Sequence, residues 1–530
     1  MGKLAYILIV KIIIEVYVML KKIFEKLIPD KKTSTNNGIE NEIKTPNTNG
    51  ISNNVQKNKE ILQSKFKNSI DVIFYEFETI SGIKAIAVYV EEIVKKEVLD
   101  RDVINPFILK SNDNEVTKSV NFETLKKFFP VTNLKEINGF AEAITSIING
   151  DTIILIDGLS FATSISCRGW EKRSIEEPAS ETVIRGPKEG FIESININRC
   201  LIRRKIKNEN LVFLNMVIGR QTRTQVNIAY IEGIVSADVL MEVKNRLSNI
   251  DIDSILDVGN LEEYIEDSHI SPISTVGNTQ KPDIVAAKIL EGRVAILCDG
   301  SPHVLTVPHL FVETIQSSED YYNRPYIATG LRIIRFVALI LSIVFPAFYV
   351  SLESFHQTMI PSVFLITMAG ASLGTPFPAF LEALLMIVAF EFLKESGTRM
   401  PKAIGSAISI VGALVLGDAA VKAGIVSADL IVVIAFTAVA TFIVPALNEM
   451  VSLYRLILLC LSGLMGIYGM TAGVFVMIIH ASSLRSFGIP YLSPIAPVNA
   501  QGLKDFIVRF PLWSMKDRPN FISDSNRKRR

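Results

Sequence analysis

Residues 331–350 read LRIIRFVALILSIVFPAFYV, and this stretch decides the architecture. Two arginines, Arg332 and Arg335, stand before an apolar run from Phe336 to Val350, inside which Pro346 is placed to kink a helix. Basic residues at the start of such a run suit a cytoplasmic origin for a membrane span. Upstream, charged residues crowd the first 330 positions; downstream they thin out as far as His480, through apolar runs longer than a soluble core helix needs. The chain of 530 residues therefore divides into a charged, water-compatible part and an apolar helical part.

Lys+Arg number 55 against 54 Asp+Glu, so nothing at the level of the whole chain suggests a nucleic acid or an acidic partner. Four scattered cysteines, with no CxxC pair, read as reduced buried thiols, which places the water-compatible part in a reducing cytoplasm. Leu4 to Leu20 is apolar but broken by Lys11 and Glu15, which fits an amphipathic helix, a true span, or a start codon at Met19. Lys31 to Lys59 has the Asn/Thr/Lys/Gly composition of a disordered tether.

Ordered patterning is expected from about Ile61, with a strand at Ile83–Val90 and helices at Glu123–Phe129 and Leu134–Ile148. The stretch Ile147 to Gly158 is echoed by Ile289 to Gly300. Each reads as helix end, glycine cap, buried strand and Asp-Gly turn, which predicts two similar α/β subdomains. Between the echoes lies Arg185-Gly186-Pro187-Lys188-Glu189-Gly190-Phe191-Ile192-Glu193, read as a turn that joins the subdomains. Arg203 and Arg204 follow on a charged helix, which suits salt bridges or a solvated face more than a phosphate site.

Beyond the first span, Ile360 to Ala371 is too short to cross a bilayer untilted and runs into Gly374-Thr375-Pro376-Phe377-Pro378. That predicts a discontinuous helix, tolerated only where protein or water shelters it. Glu382 and Glu391 follow within one apolar segment, where each carboxylate needs a partner, water or an ion. Further spans are expected at Ala403–Ala420 and Leu430–Ala446. Leu453–His480 is long for one span and short for two, giving four to six in all. No Ser/His/Asp, Cys/His, HExxH or P-loop pattern is present, which argues against an enzyme and against any cofactor.

Several blocks together resemble the A subunits of GerA-type spore germinant receptors. They are residues 185–193, Asn198 to Arg204, Tyr230 to Ile234, Lys281 to Val294, Asp299 to Pro302, Gly374 to Ala379, Glu391 to Pro401 and Ser493 to Val498. The resemblance implies a multi-pass subunit of the spore inner membrane with its N-terminal domain on the cytoplasmic side. It implies a transporter-like B subunit and a lipoprotein C subunit as partners, a homo-oligomer of pentameric type, and passage of monovalent cations. In such a ring Glu382 would form a circle of carboxylates, with Glu391 a weaker candidate. The alternative within one subunit is that either carboxylate pairs with Arg335, Arg455 or a backbone amide. An accessory protein of the SpoVAF kind and a secondary transporter are the competing readings. The expected fold is an α+β or α/β cytoplasmic domain of two subdomains followed by an all-α polytopic membrane domain. Its divisions are a variable tail 1–60, subdomains 61–198 and 199–325, helices 326–490 and a cytoplasmic tail 491–530.

Overall fold

The computed structural model describes residues 50–530, apart from 68, 79–81, 111–121, 130–133, 170–176, 179–180, 400–416, 500, 520–521, 523–527 and 530. The expectations for the first 49 residues, and most of the span expected at Ala403–Ala420, lie outside the described residues.

The α/β region holds two five-stranded sheets of one design. In the first, β1 (Val72–Glu78), β2 (Lys84–Val90), β3 (Leu134–Ile137), β4 (Thr152–Ile156) and β5 (Ala162–Ile165) lie in the order β1-β2-β4-β5-β3. In the second, β6 (Leu211–Ile218), β7 (Thr224–Ile231), β8 (Gly277–Thr279), β9 (Val294–Cys298) and β10 (Val304–Val307) lie as β6-β7-β9-β10-β8. Neighbouring strands in both sheets pair antiparallel. β4 and β9 are buried along their whole length, as strands covered on both faces must be.

The likeness extends to single hydrogen bonds. Helix α1 (Val55–Lys65) opens the first subdomain, α2 (Phe140–Ile148) precedes β4, and α3 (Ile195–Lys205) opens the second. Asp157, in the turn after β4, accepts from the Val55 N–H at 3.1 Å; Asp299, after β9, accepts from the Ile195 N–H at 3.2 Å. Asn58 exchanges two hydrogen bonds with the backbone of Ser52, and Asn198 does the same with Ile192. In both halves an acidic side chain sits at a helix N-terminus, where free N–H groups and the dipole favour it.

Three expectations are corrected. Leu134–Ile137 is strand β3, not the start of a helix, because its backbone pairs antiparallel with β5 along a sheet edge. Order begins before Ile61: α1 starts at Val55, and Ile51 and Val55 are buried, so the polar composition of this stretch conceals one apolar stripe. A division at 198/199 cuts through α3, which belongs to the second subdomain as α1 belongs to the first.

The second sheet is covered on one face by α4 (Ala237–Ser248) and α5 (Val258–Ile265) and on the other by α3 and α6 (Pro282–Glu291). Arg203 of α3 joins the two halves. It is 1% exposed and grips Asp71 through two hydrogen bonds of 2.7 Å; it also donates to the carbonyls of Asn208 and Leu211. Ser69 accepts from the Phe213 N–H, and the Ile70 N–H donates to the Phe213 carbonyl, so the lead-in to β1 is fastened to β6.

The helical region follows two short helices, α7 (Phe311–Ile315) and α8 (Glu319–Tyr322). It contains α9 (Pro325–Ser354), α10 (Ser362–Ser372), α11 (Ala379–Arg399), α12 (Ala428–Ile443) and α13 (Asn448–Ser483). Among the described residues two helical stretches are long and apolar enough to cross a membrane, Pro325–Ser354 and Pro445–Ser483. The second is folded back on itself. Gly466 has φ +60, outside the helical range, and a Cβ on Gly469 would lie 2.2 Å from the Leu461 carbonyl oxygen. Residues eight apart in a straight helix are about 12 Å distant, so α13 is two antiparallel arms meeting at Gly466. Phe355 and His356, just beyond α9, pack on that turn. The turn and the end of α9 therefore lie at the end of the bundle away from the α/β region.

Truncating one partner of a buried ion pair costs about 3–5 kcal/mol, because the other charge is left unpaired. Arg203→Met and Asp71→Leu should each lower unfolding free energy by about that much, and the double variant by clearly less than their sum. Denaturant unfolding of the four proteins checks this.

Candidate functional site

Two constellations of charge stand out, one at each end of the helical bundle. At the far end, α9 supplies Tyr349 and Glu353, α11 supplies Glu382, and α12 supplies Asp429. The Tyr349 hydroxyl donates to Asp429 at 2.9 Å and also reaches Glu353. Glu382, 2% exposed, accepts from the Ser427 N–H at 2.9 Å, at the N-terminus of α12. This is the backbone-amide alternative weighed for Glu382. One oxygen each of Glu353 and Asp429 is shielded from solvent with no hydrogen-bond partner. Glu353 is close enough to Asp429 and Glu382 to feel both charges. Among the described residues no ion pair is made by Glu353, Glu382 or Asp429. Three carboxylates gathered without a counter-charge draw either protons or cations.

The helix break leads into this trio. α10 stops at Ser372, and α11 starts only at Ala379, after Gly374, Pro376 and Pro378. The Pro378 carbonyl accepts from the N–H groups of Leu381 and Glu382, so the prolines end one helix and set the first turn of the next. Gly424, at φ +65, packs on the Gly374 carbonyl, where a Cβ would stand 3.0 Å away. Glu391 lies apart. It pairs with Lys394 and with Arg455 at 3.1 Å, and it accepts from Ser452 at 2.8 Å. Glu391 therefore follows the ion-pair alternative, and its charge is already matched.

At the near end the Arg185–Glu193 loop lies on α8. Glu319 accepts from the N–H groups of Ile184 and Arg185. Gly186 has φ +138, and the Tyr322 ring fills the place of its missing Cβ. Pro187 and Gly190 carry the loop back to the second sheet, where the Phe191 N–H donates to Gln280 and the Glu193 carbonyl accepts from Gly300. Glu189 pairs with Arg204 at 3.4 Å and with Lys205 at 3.3 Å. The loop thus touches the segment that leads directly into α9.

That segment holds a buried ion cluster. Arg332 is fully buried; it donates to Asp320 at 2.8 Å, to Asp505 at 2.9 Å and to the carbonyls of Asp505 and Phe506. Arg335 grips the same Asp320 at 2.9 Å. The Tyr321 hydroxyl donates to Asp505 at 2.7 Å, and the guanidinium groups of Arg332 and Arg509 both lie over its ring. Burial, with Asp505 beside it, pushes the Tyr321 hydroxyl well above its usual range. Nearby, burial works to raise the Glu313 carboxyl, but Arg293 and Lys288 outweigh it and hold the group well below the usual carboxylate range. A small cavity of about 80 Å³, lined by Glu291, Arg293, Tyr321, Asp505 and Arg529 among others, separates the C-terminal tail from the second subdomain.

A further junction element carries no sequence signal. After α13 the chain makes a two-stranded hairpin, β11 (Arg485–Ser486) and β12 (Ile489–Pro490). Its tip residue Phe487 is buried in the core of the second sheet, 4.4 Å under the Arg246 guanidinium, and its N–H donates to Asp267. Ser486 donates to the Thr275 carbonyl and accepts from the His309 N–H. Among the described residues no group of three or more His, Cys, Asp or Glu is arranged to hold a metal ion.

Asp320→Asn would leave Arg332 and Arg335 beside a neutral group. The expected loss is about 3–5 kcal/mol, read as a lower melting temperature in detergent and faster proteolysis of the C-terminal tail.

Residues 60–521 match the sequence model of the Bacillus/Clostridium GerA spore germination protein. The chain is 41% identical to spore germination protein KA of Bacillus subtilis (strain 168), over 90% of this chain and 88% of that one. It is 38% identical to spore germination protein GerLA of Bacillus cereus, over 80% of this chain and 87% of that one. A crystal structure of the N-terminal domain of the A subunit of the Bacillus megaterium spore germinant receptor GerK3 is 31% identical, with TM-score 0.40, over 50% of this chain and 98% of that one. A match across so much of the chain, with relatives of this identity, makes the protein a member of the GerA spore germination family.

Proposed function

We propose that the chain is a multi-pass subunit of a spore germination receptor and forms an oligomeric channel for monovalent cations in the spore inner membrane. Its α/β region faces the cytoplasm. The nutrient signal reaches it through a transporter-like B subunit, and a lipoprotein C subunit completes the complex. The observation that carries this reading is the far-end trio of Glu353, Glu382 and Asp429, gathered without a basic partner among the described residues.

Helix length supports the placement. Glu353 lies eighteen residues beyond Arg335 on α9, about 27 Å along the axis, close to the roughly 30 Å of hydrocarbon in a bilayer. The trio then sits at the mouth of the bundle away from the α/β region, shallower than a site at mid-membrane. Repeated around a ring of subunits, it becomes a band of negative charge that concentrates cations at a pore mouth. The faces of α10 support the ring as well. Val363, Ile366 and Leu373 are mostly exposed, and polar backbone at Gly374–Pro378 stands beside them, which suits cover by a neighbouring copy better than by lipid.

Glu382→Gln should leave assembly intact and weaken the preference for K⁺ over Cl⁻ in reconstituted bilayers, with Asp429→Asn acting in the same direction. Reversal potentials under a KCl gradient read the effect. If both variants keep the wild-type reversal potential, the trio is structural; if the wild-type chain passes no ions with or without its partner subunits, the channel reading fails.

A further inference from the structure

We propose that the loop 268–273 is a bilayer-surface anchor, with Ile270 and Tyr264 seated in the lipid headgroup region. This rests on the membrane placement of the bundle given above and goes beyond it, because the residues belong to the α/β region. Ile270 is 97% exposed at the tip of a turn that the His269 ring holds to the Glu263 carbonyl at 2.8 Å. One isolated exposed isoleucine would mean little. Its surroundings give it meaning.

The loop is pinned to the bundle at two residues on the C-terminal side of Ile270. Ser271 meets the His480 ring at 3.0 Å, near the end of the second arm of α13. Ile273 is buried among the helices, in one cluster with Leu339, Tyr454 and Met470. The residues just before His480, Phe475, Val476, Ile478 and Ile479, are all more than half exposed and apolar, which marks a lipid-facing surface. Beyond His480 the surface turns polar, with exposed Arg485. Ile270 therefore stands where the apolar surface ends, continuous with it and at the level of an interface. Tyr264, six residues back near the end of α5 and half exposed, adds an aromatic ring with a polar tip, the residue type enriched at an interface. Arg485 is placed for lipid phosphate.

The chain has two tryptophans, Trp170 and Trp513, so a W170F/W513F background is dark. In that background I270W is read in the full chain in nanodiscs made with phospholipids brominated on a shallow acyl carbon. Y264W serves as a second reporter, and F348W, on α9, as a reporter of the bundle itself. The expected result is loss of most of the I270W and Y264W emission in brominated relative to unbrominated lipid, with little quenching by aqueous iodide. If F348W is quenched by brominated lipid while I270W and Y264W are not, the anchor is refuted and the membrane placement stands; iodide access then tells a water-facing loop from one covered by a second copy or another protein. If F348W is not quenched either, the membrane placement fails and the anchor falls with it.

Discussion

A charge withdrawn from water must find an opposite charge, a set of donors, or an ion, and the helical region meets this requirement differently at its two ends. At the near end the requirement is met within one chain. Asp320 serves Arg332 and Arg335 together, and Asp505 closes the cluster from the C-terminal tail; between the two ends Glu391 is matched by Arg455 and Lys394. At the far end Glu353 and Asp429 share one tyrosine hydroxyl and Glu382 accepts from one backbone N–H, with no ion pair among the described residues. The near end is built to hold parts together; the far end is left electrostatically incomplete, and the proposed function lies in that incompleteness.

The near-end cluster also orders the rest of the molecule. It gathers the connecting helix α8, the first turns of α9 and residues 505–509 of the tail. The Arg185–Glu193 loop lies on α8, and the hairpin tip Phe487 enters the second sheet from the other side. The second subdomain is thus tied to the first helix and to the last arm of the bundle. The first subdomain reaches the bundle through Arg203 and Asp71 and then through the second. A displacement of the second subdomain would move both ends of the helical bundle's connection, which gives the fold a route for a signal to arrive from the α/β region.

What was legible in the sequence was local. The duplicated helix–glycine–strand–Asp-Gly pattern encodes its own turns, so the echo between 147–158 and 289–300 foretells two sheets with one strand order. The Gly-Pro break at 374–378 was legible for the same reason, since proline and glycine act on their own backbone. What was missed depends on distant residues. Phe487 looks like any loop aromatic until it meets Arg246, 241 positions earlier in the chain. Glu353 and Asp429 look like ordinary helix-end acids until the fold brings them to Glu382. For Arg203 the sequence allows either a solvated face or a salt bridge, and only the fold, by bringing Asp71 and the carbonyls of Asn208 and Leu211 to it, selects the buried ion pair. Cys460, expected to be buried with the other three cysteines, is exposed on a bundle helix, where an apolar sequence does not tell an outward-facing side from a packed one.

The most direct measurement of the central claim is single-particle imaging of the purified full chain in nanodiscs. The account predicts a closed ring of subunits around a passage whose mouth, on the side away from the α/β region, is lined by Glu353, Glu382 and Asp429. Monomers alone, or a ring in which these three side chains point away from its axis, would contradict it.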